Sequence, residues 1–272
     1  MTYDAQSELD RVRKYYEGDP LQKRLSALIY GEIGSGKTYL LRTARFPIHI
    51  DSFDPGGTKC LKPWIDKGDI VCDTTWENED PYNPKVFADW MRTTEVRLQI
   101  GYFDQFGTYT LDGLSMFSEA VMNYELKKAG REGEAPMHRR DYNPQKVEIV
   151  NRIKRFMSLK PDFFLMAHLR REEDVIGQTK EGLPIKEFKY RLNVTGNAVL
   201  SLPLLFDEIY ILEGKETSSG LERSLIIEAQ GKYIARSRLK SDGKLGMRED
   251  ADIKKLLKKI GLNWEDKSKL TL

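Results

Sequence analysis

A glycine-rich octapeptide near the start of the chain constrains the fold more than any other stretch. Residues 31–38 read Gly-Glu-Ile-Gly-Ser-Gly-Lys-Thr, which matches the P-loop pattern of a glycine, four residues and then Gly-Lys-Thr. Glycines let backbone N–H groups turn inward around phosphate oxygens, and the following helix directs its positive N-terminus at the same oxygens. The motif therefore predicts a strand, a phosphate-binding loop and a helix, in that order.

The residues on both sides of the octapeptide fit this prediction. An apolar run at 27–30 precedes it, as expected for a buried parallel strand, and residues 39–41 continue a helix after it. We expect Lys37 to contact the β- and γ-phosphates of ATP and Thr38 to bind Mg²⁺. The predicted nucleotide-binding residues are Gly31, Glu32, Ile33, Gly34, Ser35, Gly36, Lys37, Thr38 and Tyr39.

The composition is that of a folded protein with one large α/β domain. The chain has 272 residues, of which 40% are hydrophobic and 32% charged, and its net charge of +2 does not by itself indicate nucleic-acid binding. Its two cysteines, Cys60 and Cys72, lack metal-ligand spacing and are expected to stay reduced. We find no signal peptide and no apolar run long enough to cross a bilayer, and we predict a cytoplasmic protein without a membrane partner.

Three aspartates follow predicted strands and are candidates for the metal and for the attacking water. Asp112 ends a strand at 107–112 and is predicted to hold Mg²⁺ beside Thr38. The next residue is Gly113, whereas many AAA+ ATPases have a water-activating glutamate there, and this difference argues against that class. Asp51 or Asp54, after the second predicted strand, is therefore expected to orient the water, although aspartates before Pro-Gly also favour turns for local reasons.

A histidine follows a further predicted core strand. Residues 162–167 are largely apolar, and His168 comes directly after them. We expect His168 to lie near the γ-phosphate and to report hydrolysis, the alternative being a structural histidine at a strand end.

Two polar segments are candidates for contact with DNA. They are a loop at 127–140 and a segment at 169–191 that is predicted to form a β-hairpin arm. Basic side chains would neutralise phosphates and aromatic rings would stack on bases; the alternatives are a solvated loop and simple packing. The candidate residues are Lys127, Lys128, Arg131, Arg139, Arg140, Arg170, Arg171, Lys186, Phe188, Lys189 and Tyr190.

The periodicity of the chain ends predicts a helix at each. We divide the chain into an N-terminal helix at 1–20, a core at 21–247 and a basic C-terminal helix and tail at 248–272. The first helix either packs on the domain edge, which we favour, or docks on a neighbouring subunit. A helix is predicted from Pro144 to about Met157. Short strands at 208–212, 223–229 and 233–236 predict a small β extension.

The octapeptide resembles the Walker A motif of archaeal and eukaryotic RecA-class recombinases. The layout of about residues 25–260 is similar to small phage RecA-like ATPases, the core-only, Sak-type single-strand-annealing group. The matching pieces are the P-loop, Ile50-Asp51 with Asp54, Leu111-Asp112-Gly113, Asp141-Tyr142, Ala167-His168 and Phe206-Asp207-Glu208. Asp51-Ser52-Phe53 departs from the Asp-x-Glu of the recombinases.

This resemblance implies a RecA-like α/β fold, with a mostly parallel central sheet, helices on both faces and a small C-terminal β extension. It also implies Mg²⁺-dependent ATP hydrolysis coupled to single-stranded DNA binding, annealing or recombination in a phage. The implied assembly is a homo-oligomer or filament, in which Arg236, Arg238 or Lys240 would reach a neighbour's γ-phosphate. Alternatives are a packaging or other motor ATPase that acts on a protein partner, and a nucleotide switch that hardly turns over.

Overall fold

The computed structural model describes residues 4–137, 139–179, 181–194, 198–218, 220–229 and 234–270. These residues form one sheet of ten strands: β1 (Ser26–Gly31), β2 (Ile48–Ser52), β3 (Ile70–Asp73), β4 (Thr108–Asp112), β5 (Asp162–Gln178), β6 (Pro184–Leu192), β7 (Glu208–Thr217), β8 (Gly220–Ile226), β9 (Arg236–Ser237) and β10 (Arg248–Asp250). The helices are α1 (Ala5–Gly18), α2 (Lys37–Leu40), α3 (Lys62–Ile65), α4 (Val86–Gln99), α5 (Leu114–Lys128), α6 (Arg139–Phe156), α7 (Ala198–Ser201) and α8 (Ile253–Ile260).

The centre of the sheet is parallel. Its six parallel strands lie in the order β7-β1-β5-β4-β2-β3, while β8 and β9 pair antiparallel with β7, and β10 pairs with β8. The predicted α/β class, with a mostly parallel sheet and a small C-terminal β extension, is therefore confirmed. The part of the predicted third extension strand that includes Tyr233 lies outside the described residues.

Side chains alternate across the strands, and each face of the sheet buries its own core. On β1, Leu28 and Tyr30 face the side covered by α4, α5 and α6, whereas Ala27 and Ile29 face the side covered by α2 and α8. Burial on both faces explains why the strand reads as a continuous apolar run rather than as an alternating pattern.

The parallel register brings four strand ends to one edge of the sheet. Strand β5 lies between β1 and β4, with Gly31 opposite His168 on one side and Asp112 opposite Met166 on the other. On the far side of β4, Ser52 at the end of β2 is opposite Asp112. Ligands of open α/β sheets bind outside such carboxyl ends, so the predicted site residues converge there.

Two predicted helices differ from their observed form. No residue of α1, all of which belongs to the described part of the chain, is buried, so the favoured packing on the domain edge is wrong. Helix α6 begins at Arg139 and contains Pro144. The carboxylate of Asp141 fixes this earlier start, because it accepts the Met137 N–H at 3.0 Å and pairs with Arg131 at 2.9 Å.

The predicted hairpin arm is confirmed, and it is a direct extension of a core strand. Strand β5 runs on past His168 to Gln178 and pairs with β6 from Leu169 opposite Leu192, with a bulge between Val175 and Gly177. One continuous strand therefore contributes both to the core and to the arm.

A fully buried carboxylate joins β2 to its neighbours. The two oxygens of Asp51 receive five contacts: His49 Nε2 at 3.0 Å, Arg97 Nη1 at 3.0 Å, Trp76 Nε1 at 3.3 Å, Trp90 Nε1 at 3.0 Å and Tyr109 Oη at 2.8 Å. Burial alone would raise the pKa of Asp51, but His49, Arg97 and Trp90 outweigh it and lower the pKa to about 2. Asp51 therefore stabilises the fold as an ionised group.

We expect Asp51→Asn to destabilise the protein by about 3–5 kcal/mol, because Arg97 loses one of its two carboxylate partners, Asp51 and Asp73, and the other buried donors around residue 51 lose a charged acceptor. Since the folded pKa lies below the ordinary value of 3.8, the stabilisation is present above that value and is lost as the pH falls through about 2. The difference in unfolding free energy between wild type and variant should narrow on acidification in denaturant titrations. A constant difference down to that pH would contradict the assignment.

Candidate nucleotide-binding site

The phosphate-binding loop has the shape that its glycines permit. Gly34 and Gly36 adopt left-handed backbone angles, with φ of 80° and 94°. The Lys37 ammonium lies against the loop and donates to the carbonyl oxygens of Gly31 at 3.1 Å and Glu32 at 2.9 Å. The Ser35 hydroxyl is buried and has no hydrogen-bond partner among the described residues. An orphaned donor inside a loop of this shape fits a phosphate oxygen.

Burial also affects the cation of this loop. Burial lowers the pKa of the Lys37 ammonium, whereas the negative charges of Asp112 and Asp54 raise it. When a phosphate binds in the loop, its charged oxygens can replace the neutral carbonyl oxygens as acceptors of the Lys37 ammonium. Hydrogen bonds to charged acceptors are stronger.

Thr38 and Asp112 are adjacent, as expected of two groups that hold one metal ion. The Thr38 hydroxyl donates to Asp112 Oδ2 at 2.7 Å. Burial raises the pKa of Asp112 to about 6, with a further rise from Asp54, against the hydrogen bond from Thr38 and the charges of Lys37 and His168. Within the described ranges no three His, Cys, Asp or Glu side chains cluster for a metal, so Mg²⁺ would take its other ligands from phosphates and water.

Asp54 lies beside this pair and contacts the predicted sensor. Its Oδ2 lies 3.0 Å from His168 Nε2, and His168 Nδ1 is buried without a partner in the described part of the chain. A Cβ at residue 113 would lie 2.7 Å from Asp54 Oδ1, and Gly113 itself has a φ of 97°. Asp54 therefore occupies the space that a side chain at residue 113 would need.

The other aspartate of that segment is excluded from this role by its surroundings. Asp51 has no solvent exposure, and the five donors described above surround both of its oxygens. A carboxylate in that position has no room for an attacking water. Of the two predicted candidates the geometry favours Asp54, and the interpretation of Asp51 as the water-orienting acid is corrected.

A family comparison adds to this geometry. A family model described as an AAA domain matches residues 23–239, four fifths of the chain. The chain belongs to this AAA domain family. It is a P-loop NTPase with an α/β fold. This match does not support the expectation, drawn from Gly113, that the chain lies outside the AAA class. That Asp54 acts in place of a glutamate at residue 113 stays a prediction.

A solved structure is also similar to this AAA domain. It is the crystal structure of a KaiC-like protein from the hyperthermophilic archaeon Pyrococcus horikoshii OT3, with 11% identity and a TM-score of 0.39. The similarity covers 78% of this chain and 81% of that chain, and at this level it carries no argument on function. A search of curated proteins finds no significant match. No helix among the residues described is long and apolar enough to span a membrane.

Two residues that the sequence did not suggest stabilise the site of the AAA domain. Glu77 accepts the Ser52 hydroxyl at 2.7 Å and the Gly56 N–H at 2.9 Å, so it fixes the turn on which Asp54 lies. Arg223 donates from Nε to the Ser35 carbonyl at 2.9 Å. Neither residue belongs to a motif, and each acts across a long sequence separation.

The three cations predicted to act on a neighbour's nucleotide lie away from this chain's own P-loop. Arg236 on β9 lies opposite Ile209, near the start of β7, at the edge of the sheet where the parallel strands begin. Arg236 donates to the carbonyls of Pro203 and Phe206, Arg238 pairs with Asp207, and Lys240 pairs with Glu228. Their action in a neighbouring subunit stays a prediction.

The candidate DNA-binding residues lie in two different settings. Lys127 donates to the Pro84 carbonyl, Lys128 pairs with Glu125, and Arg131 pairs with Asp141, while Arg139 and Arg140 are exposed at the start of α6. On the arm, Arg170 pairs with Glu172, Lys186 with Glu173 and Lys189 with Glu187, and Arg171 lies 3.6 Å from the centre of the Phe188 ring. Tyr190 on β6 is half-buried. DNA binding by these residues stays a prediction.

We expect Asp54→Asn to lower kcat by about 10² or more while ATP binding changes little, because a general base contributes chiefly to the chemical step. Steady-state kinetics and calorimetric ATP titration check this, with Asp66→Asn, at an exposed residue directly after α3, as the control. Turnover close to wild type in Asp54→Asn would place the base elsewhere.

We expect Asp112→Asn to raise the Mg²⁺ concentration needed for half-maximal turnover, because an amide is a weaker Mg²⁺ ligand than a carboxylate. Turnover measured across a Mg²⁺ series gives this value. The same Asp66→Asn control should follow the wild-type curve, and an unchanged Mg²⁺ dependence in Asp112→Asn would refute the metal assignment.

Proposed function

We propose that this P-loop NTPase is a phage-encoded, Mg²⁺-dependent ATPase whose turnover is coupled to single-stranded DNA binding in annealing or recombination, in the host cytoplasm. The observation that supports the coupling is the continuity of β5. The same strand carries His168 at the catalytic edge and, from Leu169 onward, the first half of the arm.

In the proposed hydrolysis, this chain's side chains bind and orient the reactants. Lys37 exchanges the carbonyl oxygens of its own loop for the β- and γ-phosphates. Thr38 and Asp112 would hold Mg²⁺, which would neutralise phosphate charge. Asp54 orients the attacking water and accepts its proton, and His168 fixes the orientation of the Asp54 carboxylate through the 3.0 Å contact.

The base of the arm connects DNA binding to this carboxylate. The Asn193 N–H, just after β6, donates to the His168 carbonyl at 2.8 Å. The Ser115 hydroxyl at the start of α5 donates to the Asn193 carbonyl at 2.7 Å. If DNA binding displaces the arm, the displacement acts on His168 and on α5, the helix that follows Asp112. Both border the site of hydrolysis.

The charges of the arm determine how it would bind a strand. Most of its cations pair with carboxylates on the exposed surface, and such pairs contribute little stability. Phosphates can therefore replace these carboxylates, with a strong dependence on salt. Arg171 and Phe188 form a flat cation–aromatic pair that offers an unpaired base a stacking surface.

We further propose that copies of the chain assemble into an oligomer or filament. The support is the placement of Arg236, Arg238 and Lys240 at the amino edge of the sheet, where they are far from their own P-loop edge. In an assembly that stacks this edge on the next copy's P-loop edge, a cation could reach the neighbour's γ-phosphate.

Single-stranded DNA should raise the ATPase rate, and duplex DNA should raise it less because its bases are already stacked. Replacing Arg170 and Arg171 by alanine should remove the stimulation and spare basal turnover. Replacing Arg92, an exposed arginine of α4 that pairs with Asp89, by alanine is the matched control. Turnover with and without each DNA, in a salt series, is the measurement.

A specific observation favours a second candidate, a motor ATPase that acts on a protein partner. The far end of the arm exposes four aliphatic side chains, Val175, Ile176, Leu183 and Ile185. Exposed apolar clusters mark protein-binding surfaces. If single-stranded DNA neither binds at low salt nor changes the turnover, the recombination proposal fails and this alternative becomes the better account.

A further inference from the structure

An arginine from the C-terminal β extension lies against the phosphate-binding loop. Besides its hydrogen bond to the Ser35 carbonyl, Arg223 covers Gly36 so closely that a Cβ there would lie 2.5 Å from Arg223 Nε. The left-handed backbone at residue 36 favours glycine, and the absence of a side chain there leaves the space that Arg223 occupies. Residue 223 lies on β8, two strands away from β1 in the sheet.

The order of the strands determines which half of a nucleotide comes near Arg223. Asp112 and His168, which act on the γ-phosphate end, belong to β4 and β5, and Asp54 lies on the turn after β2; all three strands lie on one side of β1. Strands β7 and β8 lie on the other side of β1. A triphosphate held along the loop with its γ end at Asp112 therefore extends its nucleoside half toward β8.

A cavity of about 250 Å³ lies at that position. Its wall includes Tyr39, Arg42, Leu221, Arg223 and Asp250. This volume is below the range of about 300–1,000 Å³ that encloses a whole drug-sized ligand. The cavity is large enough for part of a nucleotide whose phosphates are bound in the adjacent phosphate-binding loop.

The aromatic ring of Tyr39 in this cavity is held in place by its neighbours. Trp64 packs edge-on against the Tyr39 ring with 6.0 Å between ring centres. The guanidinium carbon of Arg42 lies 4.3 Å from the centre of the same ring, and that of Arg223 lies 5.8 Å from it. A planar ring and planar cations held together form a surface on which another flat ring can stack.

We propose that this cavity receives the nucleoside half of the bound nucleotide and that Tyr39 and Arg223 contact the base. The Asp250 carboxylate, which pairs with Lys255 at 3.0 Å, can accept a hydrogen bond from an exocyclic amino group of a purine. The guanidinium of Arg223 leaves the Ser35 carbonyl and stacks on the base, which connects the β7–β8 hairpin to nucleotide occupancy. The proposal rests on the chain being a P-loop NTPase and not on DNA binding.

The test compares ATP with inorganic tripolyphosphate, which fills the phosphate loop and has no base or ribose. Calorimetric titrations in Mg²⁺ would use wild type, Arg223→Ala and Tyr39→Leu. The control is Arg248→Ala, an exposed arginine of the same extension that pairs with Glu213. We expect about a tenfold loss of ATP affinity in both site variants, in line with a cation–aromatic contact, and less than about a twofold change for tripolyphosphate.

Two outcomes would overturn the proposal. One is ATP affinity within about twofold of wild type in Arg223→Ala. The other is an equal loss for ATP and tripolyphosphate, because Arg223 would then act only through the phosphate loop. If thermal melting without ligand shows that Arg223→Ala does not fold, Arg223→Lys is measured instead, since it keeps the charge and loses the planar group. A wild-type protein that binds neither ligand would contradict the nucleotide site itself.

Discussion

The parallel hydrogen bonding of β5 between β1 and β4 is the constraint on which the candidate site depends. It places the P-loop, His168 and Asp112 at the ends of three neighbouring strands, with Asp54 following a fourth. No one of these groups can shift along the sheet by itself, because a slip of one residue in a strand would move every side chain to the other face. The positions of these side chains at the edge of the sheet are thus fixed by the same strand pairing that forms the core.

The position of Asp54 shows that a carboxylate can reach Asp112 from a different segment of the chain. The carboxylate next to Asp112 comes from the turn after β2 and not from the residue after Asp112 itself. Gly113 leaves the space, and Glu77 fixes the turn through Ser52 and Gly56. The backbone contributes as well, since the Phe53 N–H donates to the Asp112 carbonyl at 2.8 Å.

The sequence predicts best what depends on neighbouring residues. The loop at 31–38, the end of β4 and the position of His168 after an apolar run follow from local patterns, and so does the hairpin arm. The sequence does not show that β5 continues past His168 to Gln178. Which of Asp51 and Asp54 faces the nucleotide depends on the packing of His49, Trp76 and Arg97, which no local pattern shows. Arg223 lies beyond prediction for the same reason, since 188 residues separate it from Ser35.

The bulge in β5 divides the arm into two mechanical parts. Between Leu169 and Val175 every residue pairs in register with β6, so this half forms a continuous ladder that extends the core strand. Beyond the bulge the register shifts, and the twist of the two strands changes. A change in the orientation of the outer part therefore need not move the paired residues 169–175, which connect directly to His168. The bulge therefore separates the outer part of the arm from the paired segment that adjoins the core.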